Sequence, residues 1–312
     1  MKTVVIAIGG NSLIKDAQHQ SVPDQFAAVV ETVRHITDLL ERNYRLVITH
    51  GNGPQVGFIL LRSEHSRGLL HQVPLDSIVA DTQGALGYQL QQALENEFRR
   101  RGLKKSVATI VTQTLVESSD PAFTRPTKPI GEFYTREQAE ERIRVEQWTM
   151  AEDAGRGWRR VVASPKPIRI IEAEVVRHLV KDGYVVVAAG GGGIPVVADA
   201  AGILRGVPAV IDKDLASAVL ANQIGADLLV ISTAVEKVCL NFGQPGQQEL
   251  ASMTVAEANR FLAAGHFAAG SMRPKVEACL HFIQRGAREA VITCPGKLSL
   301  ALSGGSGTRI VP

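Results

Sequence analysis

Three glycine-rich corners in this chain have the composition of anion-binding turns, and each follows an apolar run. They are Gly9, Gly10 and Asn11; Gly51, Asn52 and Gly53; and the quartet Gly190, Gly191, Gly192 and Gly193. Glycine lacks a β-carbon, so the backbone can turn sharply and present its N–H groups to a ligand oxygen. A helix that starts at such a corner adds partial positive charge. One corner is weak support, but three at strand ends point to one shared site for phosphate or carboxylate.

A second group of residues could stabilise a phosphoryl group during its transfer, which needs alignment and positive charge more than covalent help. Asp212 and Lys213 precede a predicted helix, and Lys275 lies at another predicted helix start. Lys213 could contact phosphate oxygens while Asp212 orients it. The alternative is an exposed helix start with Asp214 as its cap and a solvated Lys213. Lys275, as a helical lysine, could equally face solvent.

Lys128 is a third candidate cation. It lies between Pro126 and Pro129, and both prolines restrict the backbone and so fix the direction of the side chain. The alternative is a surface lysine that serves solubility.

Apolar and amphipathic stretches alternate along most of the chain. We predict strands at 4–8, 45–50, 106–113, 184–189, 227–233 and 289–293, and helices at 24–42, 54–65, 75–101, 170–181, 213–224, 254–263 and 272–285. Because the strands are apolar without alternation, both faces of their sheet must be covered. The predicted fold class is therefore α/β, with an open, mainly parallel sheet sandwiched by helices in one domain over 1–312.

The segment 117–167 interrupts this alternation. It holds five prolines, both tryptophans and many charges, with one plausible helix at 135–146. We interpret it as an inserted, protruding subdomain that acts as a lid, since Trp148, Trp158, Phe133 and Tyr134 supply enough aromatic bulk to fold. The alternative is a long surface excursion with no role.

The overall composition excludes several classes of protein. Charged residues make up 21% of the 312 residues, and 34 basic against 31 acidic side chains give a net charge of +3. This balance argues against nucleic-acid or membrane binding. Three scattered cysteines predict neither a disulfide framework nor a metal site, and no signal peptide is evident. We expect a cytoplasmic protein.

Six motifs, in order and spacing, resemble those of carbamate kinases in the amino-acid kinase superfamily. The motifs are Ala7–Asn11 (Ala-Ile-Gly-Gly-Asn), Thr49–Gln55 (Thr-His-Gly-Asn-Gly-Pro-Gln), Pro126–Gly131 (Pro-Thr-Lys-Pro-Ile-Gly), Ala189–Pro195 (Ala-Gly-Gly-Gly-Gly-Ile-Pro), Val210–Asp214 (Val-Ile-Asp-Lys-Asp) and Gly270–Lys275 (Gly-Ser-Met-Arg-Pro-Lys). The resemblance implies reversible phosphoryl transfer between ATP and carbamate, giving ADP and carbamoyl phosphate. It also implies a homodimer and a protruding subdomain.

The resemblance further implies roles for particular residues. Lys128, Lys213 and Asp212 would be catalytic; Gly9, Gly10, Asn11, Gly51, Asn52, Gly53, Gly191 and Gly192 would bind substrate; and Lys213, Lys275, Ser271, Met272, Thr233 and Val235 would bind nucleotide. Related kinases often carry a lysine two positions before the first glycine pair, where this chain has Ala7. Lys128 would replace that cation. No protein metal site is predicted, so Mg²⁺ would arrive with ATP or ADP, and Asp212 could reach it through water.

Two other functions remain open at this point. A different small-acid kinase would need an arginine or another cation near the second corner, and 51–56 contains none. A non-catalytic nucleotide sensor would not need Lys128, Asp212 and Lys213. His50 is expected to be a hydrogen-bonded core or rim residue rather than a general base, since carbamate is already an anion.

Overall fold

Eight strands form the central sheet, and most of them lie parallel. The computed structural model describes residues 1–9, 19, 21–153 and 155–312. In spatial order the strands are β15 (Ser252–Thr254), β17 (Thr308–Val311), β16 (Ala290–Thr293), β12 (Leu228–Ser232), β1 (Thr3–Ile8), β2 (Arg45–His50), β9 (Val185–Val187) and β3 (Val107–Thr109). β16 and β17 pair antiparallel, and their neighbours pair parallel. The predicted α/β class with a mainly parallel sheet is confirmed.

Helices cover both faces of this sheet. One face packs against α1 (Val22–Glu41), α3 (Leu75–Arg101) and α9 (Leu298–Leu302); the other packs against α5 (Ala173–Lys181), α6 (Lys213–Ile224), α7 (Val255–Ala263) and α8 (Met272–Gln284). β1, β2 and β12 are buried at nearly every residue, which explains their unbroken apolar runs. Within the described ranges, no helix is long and apolar enough to cross a membrane.

Local sequence signals set the bounds of α1. Ser21 and Asp24 form a reciprocal capping box at its start, where each side chain accepts from the backbone N–H of the other residue. Val29, Val33 and Ile36 recur at helical spacing and are buried against the sheet. The helix therefore begins where its cap allows and buries the face that its apolar stripe defines.

One predicted strand is in fact two. We predicted a single strand at 106–113, but β3 ends at Thr109 and β4 (Gln113–Leu115) joins a second sheet. Between them, the Gln83 side chain accepts from the Thr112 N–H at 2.9 Å and donates to the Thr112 carbonyl at 2.9 Å. A side chain of α3 thus replaces the neighbouring strand, and the chain can leave the central sheet.

The second sheet lies beyond the carboxyl ends of β3 and β9, where the chain leaves the central sheet. Its four strands, in order, are β11 (Leu204–Gly206), β10 (Ile194–Ala198), β4 and β8 (Arg169–Ile170). We had predicted a helix from 170, but α5 begins only at Ala173 because β8 pairs with β4. The Gln223 side chain also holds the backbone of Ile170 on both its N–H and its carbonyl. A separate antiparallel hairpin is formed by β13 (Val238–Leu240) and β14 (Gln248–Leu250).

Part of the segment 117–167 carries a sheet of its own, which we call the lobe. Its three strands are β5 (Lys128–Tyr134), β7 (Trp158–Val162) and β6 (Met150–Glu152), in the order β5-β7-β6, and α4 (Arg136–Glu146) connects β5 to β6. Trp148 is buried between the Arg160 guanidinium, 4.4 Å from its ring centre, and Tyr134 at 6.2 Å. Phe133 stays exposed beneath two arginines. The lobe packs on α2 (Gln55–His65).

Candidate active site

Three neighbouring strands bring the described parts of the glycine corners to one edge of the sheet. β1, β2 and β9 are adjacent and parallel, so their carboxyl ends meet there. Gly9 follows β1, Gly51 follows β2, and Gly190 is the third residue after the end of β9. Gly10 and Asn11 of the first corner lie outside the described residues.

The second corner leads directly into α2 and is packed from two sides. Thr82 Oγ1 of α3 lies 2.6 Å from Asn52 Oδ1 and fixes that amide. The Lys213 side chain runs across Gly51, and a β-carbon on Gly51 would lie 3.3 Å from Lys213 Cδ. The corner therefore lies between the start of α2 and the Lys213 side chain, and both of these features attract anions.

The third corner is tightly packed. A β-carbon added to any of its four glycines would come within 3 Å of a neighbouring atom, so packing alone requires glycine at these positions. A β-carbon on Gly191 would overlap the Asn52 amide, and one on Gly192 would come 2.7 Å from the Ile211 carbonyl oxygen. The first three glycines form a single 3-10 turn, and the quartet leads into β10 rather than into an α-helix. It therefore joins the second corner to the segment that carries Asp212 and Lys213.

Asp214 joins two of the candidate lysines. Lys213 Nζ lies 2.5 Å from one Asp214 carboxylate oxygen, and Lys275 Nζ lies 3.2 Å from the other. The Asp214 side chain is 3% exposed, against 13% for Lys213 and 16% for Lys275. We had expected Asp212 to orient Lys213, but Lys213 pairs with Asp214 instead. The alternative, a solvated Lys213 beside an Asp214 cap, does not hold either, because Asp212 is the cap of α6. A shared carboxylate holds the two ammonium groups side by side.

Asp212 has two other partners. Its Oδ1 caps α6 by accepting from the backbone N–H of Asp214 at 3.0 Å and of Leu215 at 3.3 Å. Its Oδ2 accepts from Lys128 Nζ at 3.1 Å. Burial raises the pKa of Asp212, but the Lys128 and Lys213 ammonium groups and the backbone N–H of Leu215 together outweigh it, so the pKa lies below its usual value. The lobe lysine thus reaches the start of α6.

These side chains surround a cavity of about 300 Å³ between the sheet edge and the lobe. The predicted residues that line it are Gly51, Asn52, Gly53, Lys128, Gly191, Asp212, Lys213 and Lys275. Three lysines, one arginine and two aspartates leave two net positive charges at the cavity wall. Such a surplus suits anionic ligands.

Other predicted residues lie outside the lining. Gly9 packs on the backbone of β12, with Ser232 O 2.9 Å from the position of a β-carbon. Gly192 is buried behind the wall. The predicted nucleotide residues Thr233 and Val235 follow β12, whereas Ser271 and Met272 begin α8. The Ser271 carbonyl accepts from Lys275 Nζ at 3.2 Å, which links that turn to the lysine pair.

His50 ends β2 directly below the second corner. The ring is fully buried, and its Nδ1 lies 2.9 Å from the Gly51 carbonyl oxygen. A carbonyl can only accept, so Nδ1 carries the proton. Burial is the main cause that lowers the pKa of His50 to about 4. The hydrogen bond to Gly51 raises the pKa, and the nearby Lys213 ammonium lowers it further. The neutral, buried ring is the core residue that we expected.

The described residues contain no group of three or more histidine, cysteine or acidic side chains that could hold a metal ion. Asp212 and Asp214 are already engaged by lysines.

Sequence reasoning missed two residues at the site, Asp214 and Arg159. Asp214 follows Lys213 at a helix start, where acidic residues are common as caps. Arg159 reaches the cavity from β7, and we had noted that 51–56 holds no arginine. Its guanidinium is used within the lobe, since it bonds Asp153 at 3.2 Å and the Gly131 carbonyl at 3.0 Å. No local signal separates it from the neighbouring arginines.

Comparison with known proteins identifies the family. Residues 2–294 match the model of the amino acid kinase family, and the chain belongs to that family. The carbamate kinase-like protein YahI of Escherichia coli is 51% identical over 311 residues, which cover 99% of this chain and 98% of that protein. The carbamate kinase of Thermococcus kodakarensis is 46% identical over 314 residues, which cover 100% and 99%.

A solved structure gives the same result. The carbamate kinase from Giardia lamblia bound to AMP-PNP is 40% identical and superimposes with a TM-score of 0.93, covering 99% of this chain and 98% of that chain. Similarity at this level over the full length places the chain among the carbamate kinases, as its motifs indicated.

Proposed function

We propose that this protein is a carbamate kinase, which interconverts ATP and carbamate with ADP and carbamoyl phosphate. The observation that carries the proposal is the set of three lysines held by two aspartates around one small cavity. Lys213 and Lys275 share Asp214, and Lys128 faces them from the lobe through Asp212. Phosphoryl transfer is accelerated mainly by alignment and by positive charge on the moving oxygens, and this arrangement supplies both.

Carbamate would bind at the second corner. Its carboxylate would accept from the backbone N–H groups around Gly51, Asn52 and Gly53, with Lys213 alongside. A carbamate oxygen then attacks the γ-phosphorus of ATP, while the bond from phosphorus to the β–γ bridging oxygen breaks and its electrons leave with ADP. The nucleophile is already an anion, so no general base is required. Neutral, buried His50 supports a structural role instead.

The nucleotide would contact Lys213, Lys275, Ser271, Met272, Thr233 and Val235, with Mg²⁺ bound to its phosphates and reached by Asp212 through water. Gly9, Gly10 and Asn11 would contact the transferred group, and Gly191 and Gly192 would lie near the substrates. Of these, Lys275 and Ser271 are linked by a hydrogen bond at the start of α8.

The segment 117–167 would act as a lid that brings Lys128 to the reacting phosphoryl group. Closure would also exclude water, to which carbamate and carbamoyl phosphate are labile. We further propose a homodimer in the cytoplasm; the three free cysteines are compatible with that compartment.

A single assay tests the proposal. The purified protein is mixed with carbamoyl phosphate and Mg-ADP, and ATP is measured by luciferase. ATP should form from carbamoyl phosphate. It should form at least roughly 100-fold more slowly from acetyl phosphate, because the methyl group of acetate cannot donate the hydrogen bonds that the amino group of carbamate can. A preparation of the Lys128→Ala, Lys213→Ala double variant controls for contaminating kinases. Absence of ATP above that control would refute the proposal.

A further inference from the structure

The lobe touches the body of the molecule through a contact between two glycines. Gly57 lies in the first turns of α2, and Gly131 lies in β5 three residues after Lys128. A β-carbon on Gly57 would lie 2.6 Å from Gly131 Cα and 3.1 Å from its nitrogen. Backbone therefore rests on backbone at this point, with no side chain between them to yield.

Gly131 lies at an irregularity in the pairing of β5 with β7. β5 and β7 pair at Ile130 with Arg160 and again at Tyr134 with Trp158, so β5 holds two extra residues between these pairs. Gly131 has a φ of 73°, which favours glycine. Its carbonyl, turned out of the ladder, accepts from Arg159 at 3.0 Å, and Asp153 holds the same guanidinium at 3.2 Å.

The two residues between Lys128 and Gly131, Pro129 and Ile130, connect them rigidly. Pro129 has a fixed φ, and Ile130 is buried in a small core with Val56 of α2 and Val162 of β7. Pro129 and Ile130 pair in regular register with β7. A displacement at Gly131 is therefore carried along β5 to Lys128, whose Nζ lies 3.1 Å from Asp212.

We infer that the contact of Gly57 with Gly131, held by Arg159, sets the position of Lys128 over the cavity; this rests on the proposed function. Gly57, Gly131 and Arg159 are positioning residues, since none of them need touch the reacting atoms. A methyl group at Gly57 would push β5 away by about 1 Å to reach ordinary contact distance. A displacement of this size at a reacting group costs on the order of 10²-fold in rate.

The decisive variant is Gly57→Ala, matched by Gly84→Ala. Both glycines lie in helices, but a β-carbon on Gly84 meets nothing within 4 Å. We expect Gly57→Ala to lower kcat by roughly 10- to 100-fold, with the Kd for Mg-ADP within about 2-fold of wild type. Gly84→Ala should leave both unchanged. Arg159→Lys, which keeps the charge but loses the two-pronged bond, should reproduce the loss in kcat if Gly57→Ala does not fold.

A double-mutant cycle separates positioning from general disruption. If Gly57 acts through Lys128, then adding Gly57→Ala to Lys128→Ala should change kcat by less than about 2-fold. Independent, multiplicative losses in the double variant would overturn the inference, and so would a normal kcat in Gly57→Ala.

A second readout needs no catalysis. Acetic anhydride labels lysines according to their exposure, and the labelling of Lys128 can be followed by mass spectrometry. Lys128 should label faster in Gly57→Ala than in wild type, while Lys237, outside the lobe, is unchanged. Unchanged labelling of Lys128 would overturn the inference. If Lys128 labels faster in Gly57→Ala but the wild-type protein makes no ATP, the positioning role is upheld and the proposed function is refuted instead.

Discussion

Lys128 and Asp212 are 84 positions apart in the chain, yet Lys128 Nζ lies 3.1 Å from the Asp212 carboxylate. The two residues belong to different parts of the fold, since Lys128 begins the first strand of the lobe and Asp212 caps α6. The pair ties the lobe to the edge of the sheet where the glycine corners meet. The position of Lys128 at the cavity therefore depends on where the lobe lies, and not only on the sheet.

Replacing Lys128 should affect turnover and not nucleotide binding. Lys128→Ala removes a cation that acts on the transferred group, so kcat should fall on the order of 10²- to 10³-fold, while the Kd for Mg-ADP changes little. Steady-state kinetics and calorimetry measure the two quantities. Lys166→Ala, an exposed lysine of the same segment, serves as the control. A normal kcat in Lys128→Ala would contradict the assignment.

Lys213→Ala should abolish most activity in a folded protein. The side chain crosses Gly51 and ends at Asp214, so its loss removes charge from the centre of the site and takes little from the core. We expect kcat to fall on the order of 10²- to 10³-fold, with circular dichroism unchanged. Lys181→Ala, at the exposed end of α5, should behave as wild type. Near-normal turnover in Lys213→Ala would show that this lysine is not catalytic.

Asp214→Asn should cost both stability and activity. The substitution keeps the size of the side chain but leaves two half-buried ammonium groups without their shared anion. Breaking a buried ion pair in this way typically costs about 3 to 5 kcal/mol, and partial exposure of the lysines should bring the loss to the lower end. Urea denaturation measures the free energy of unfolding, and exposed Asp182→Asn is the matched control. Equal stabilities for the two variants would contradict the bridging role.

His50 should make the protein less stable in mild acid. Its pKa falls from 6.5 in the unfolded chain to about 4 in the folded protein. Between these values the unfolded chain binds a proton that the folded protein does not, so the free energy of unfolding decreases as pH falls from 6.5 to 4. The full effect is about 3 kcal/mol. His50→Asn, which can still donate to the Gly51 carbonyl, should lose less stability than wild type between pH 7 and 5 in urea titrations. If wild type and His50→Asn lose the same stability over this pH range, the acid sensitivity does not come from His50.

Nucleotide binding should require a divalent cation. Since the described residues offer no cluster of metal ligands, Mg²⁺ would be held mainly by phosphates and water. Calorimetry should show tight binding of ADP with Mg²⁺ and a large loss of affinity in EDTA. Metal analysis of the dialysed protein without nucleotide should find well under one equivalent. A tightly bound metal in that sample would refute the expectation.

The sequence alone determined the class of fold and the elements near the site. Unbroken apolar runs separated by amphipathic helices require a parallel sheet that is covered on both faces, and α6 at Lys213–Ile224 matches its predicted bounds. The sequence also indicated the glycine corners and the three lysines, because glycines are costly at strand ends and the lysines lie at predicted helix starts or between prolines.

Only the tertiary structure decided which charges pair. Lys213 selects Asp214 rather than Asp212, because Asp212 uses one oxygen to cap α6 and the other to accept from Lys128. The Gln83 side chain ends β3 from a distance of 29 residues, which no local pattern could reveal. Gly57 likewise carries no signal of its own, since its need for a bare α-carbon arises only when Gly131 of the lobe comes to rest on it. Propensity acts between neighbours in the chain, whereas these contacts depend on packing between distant segments.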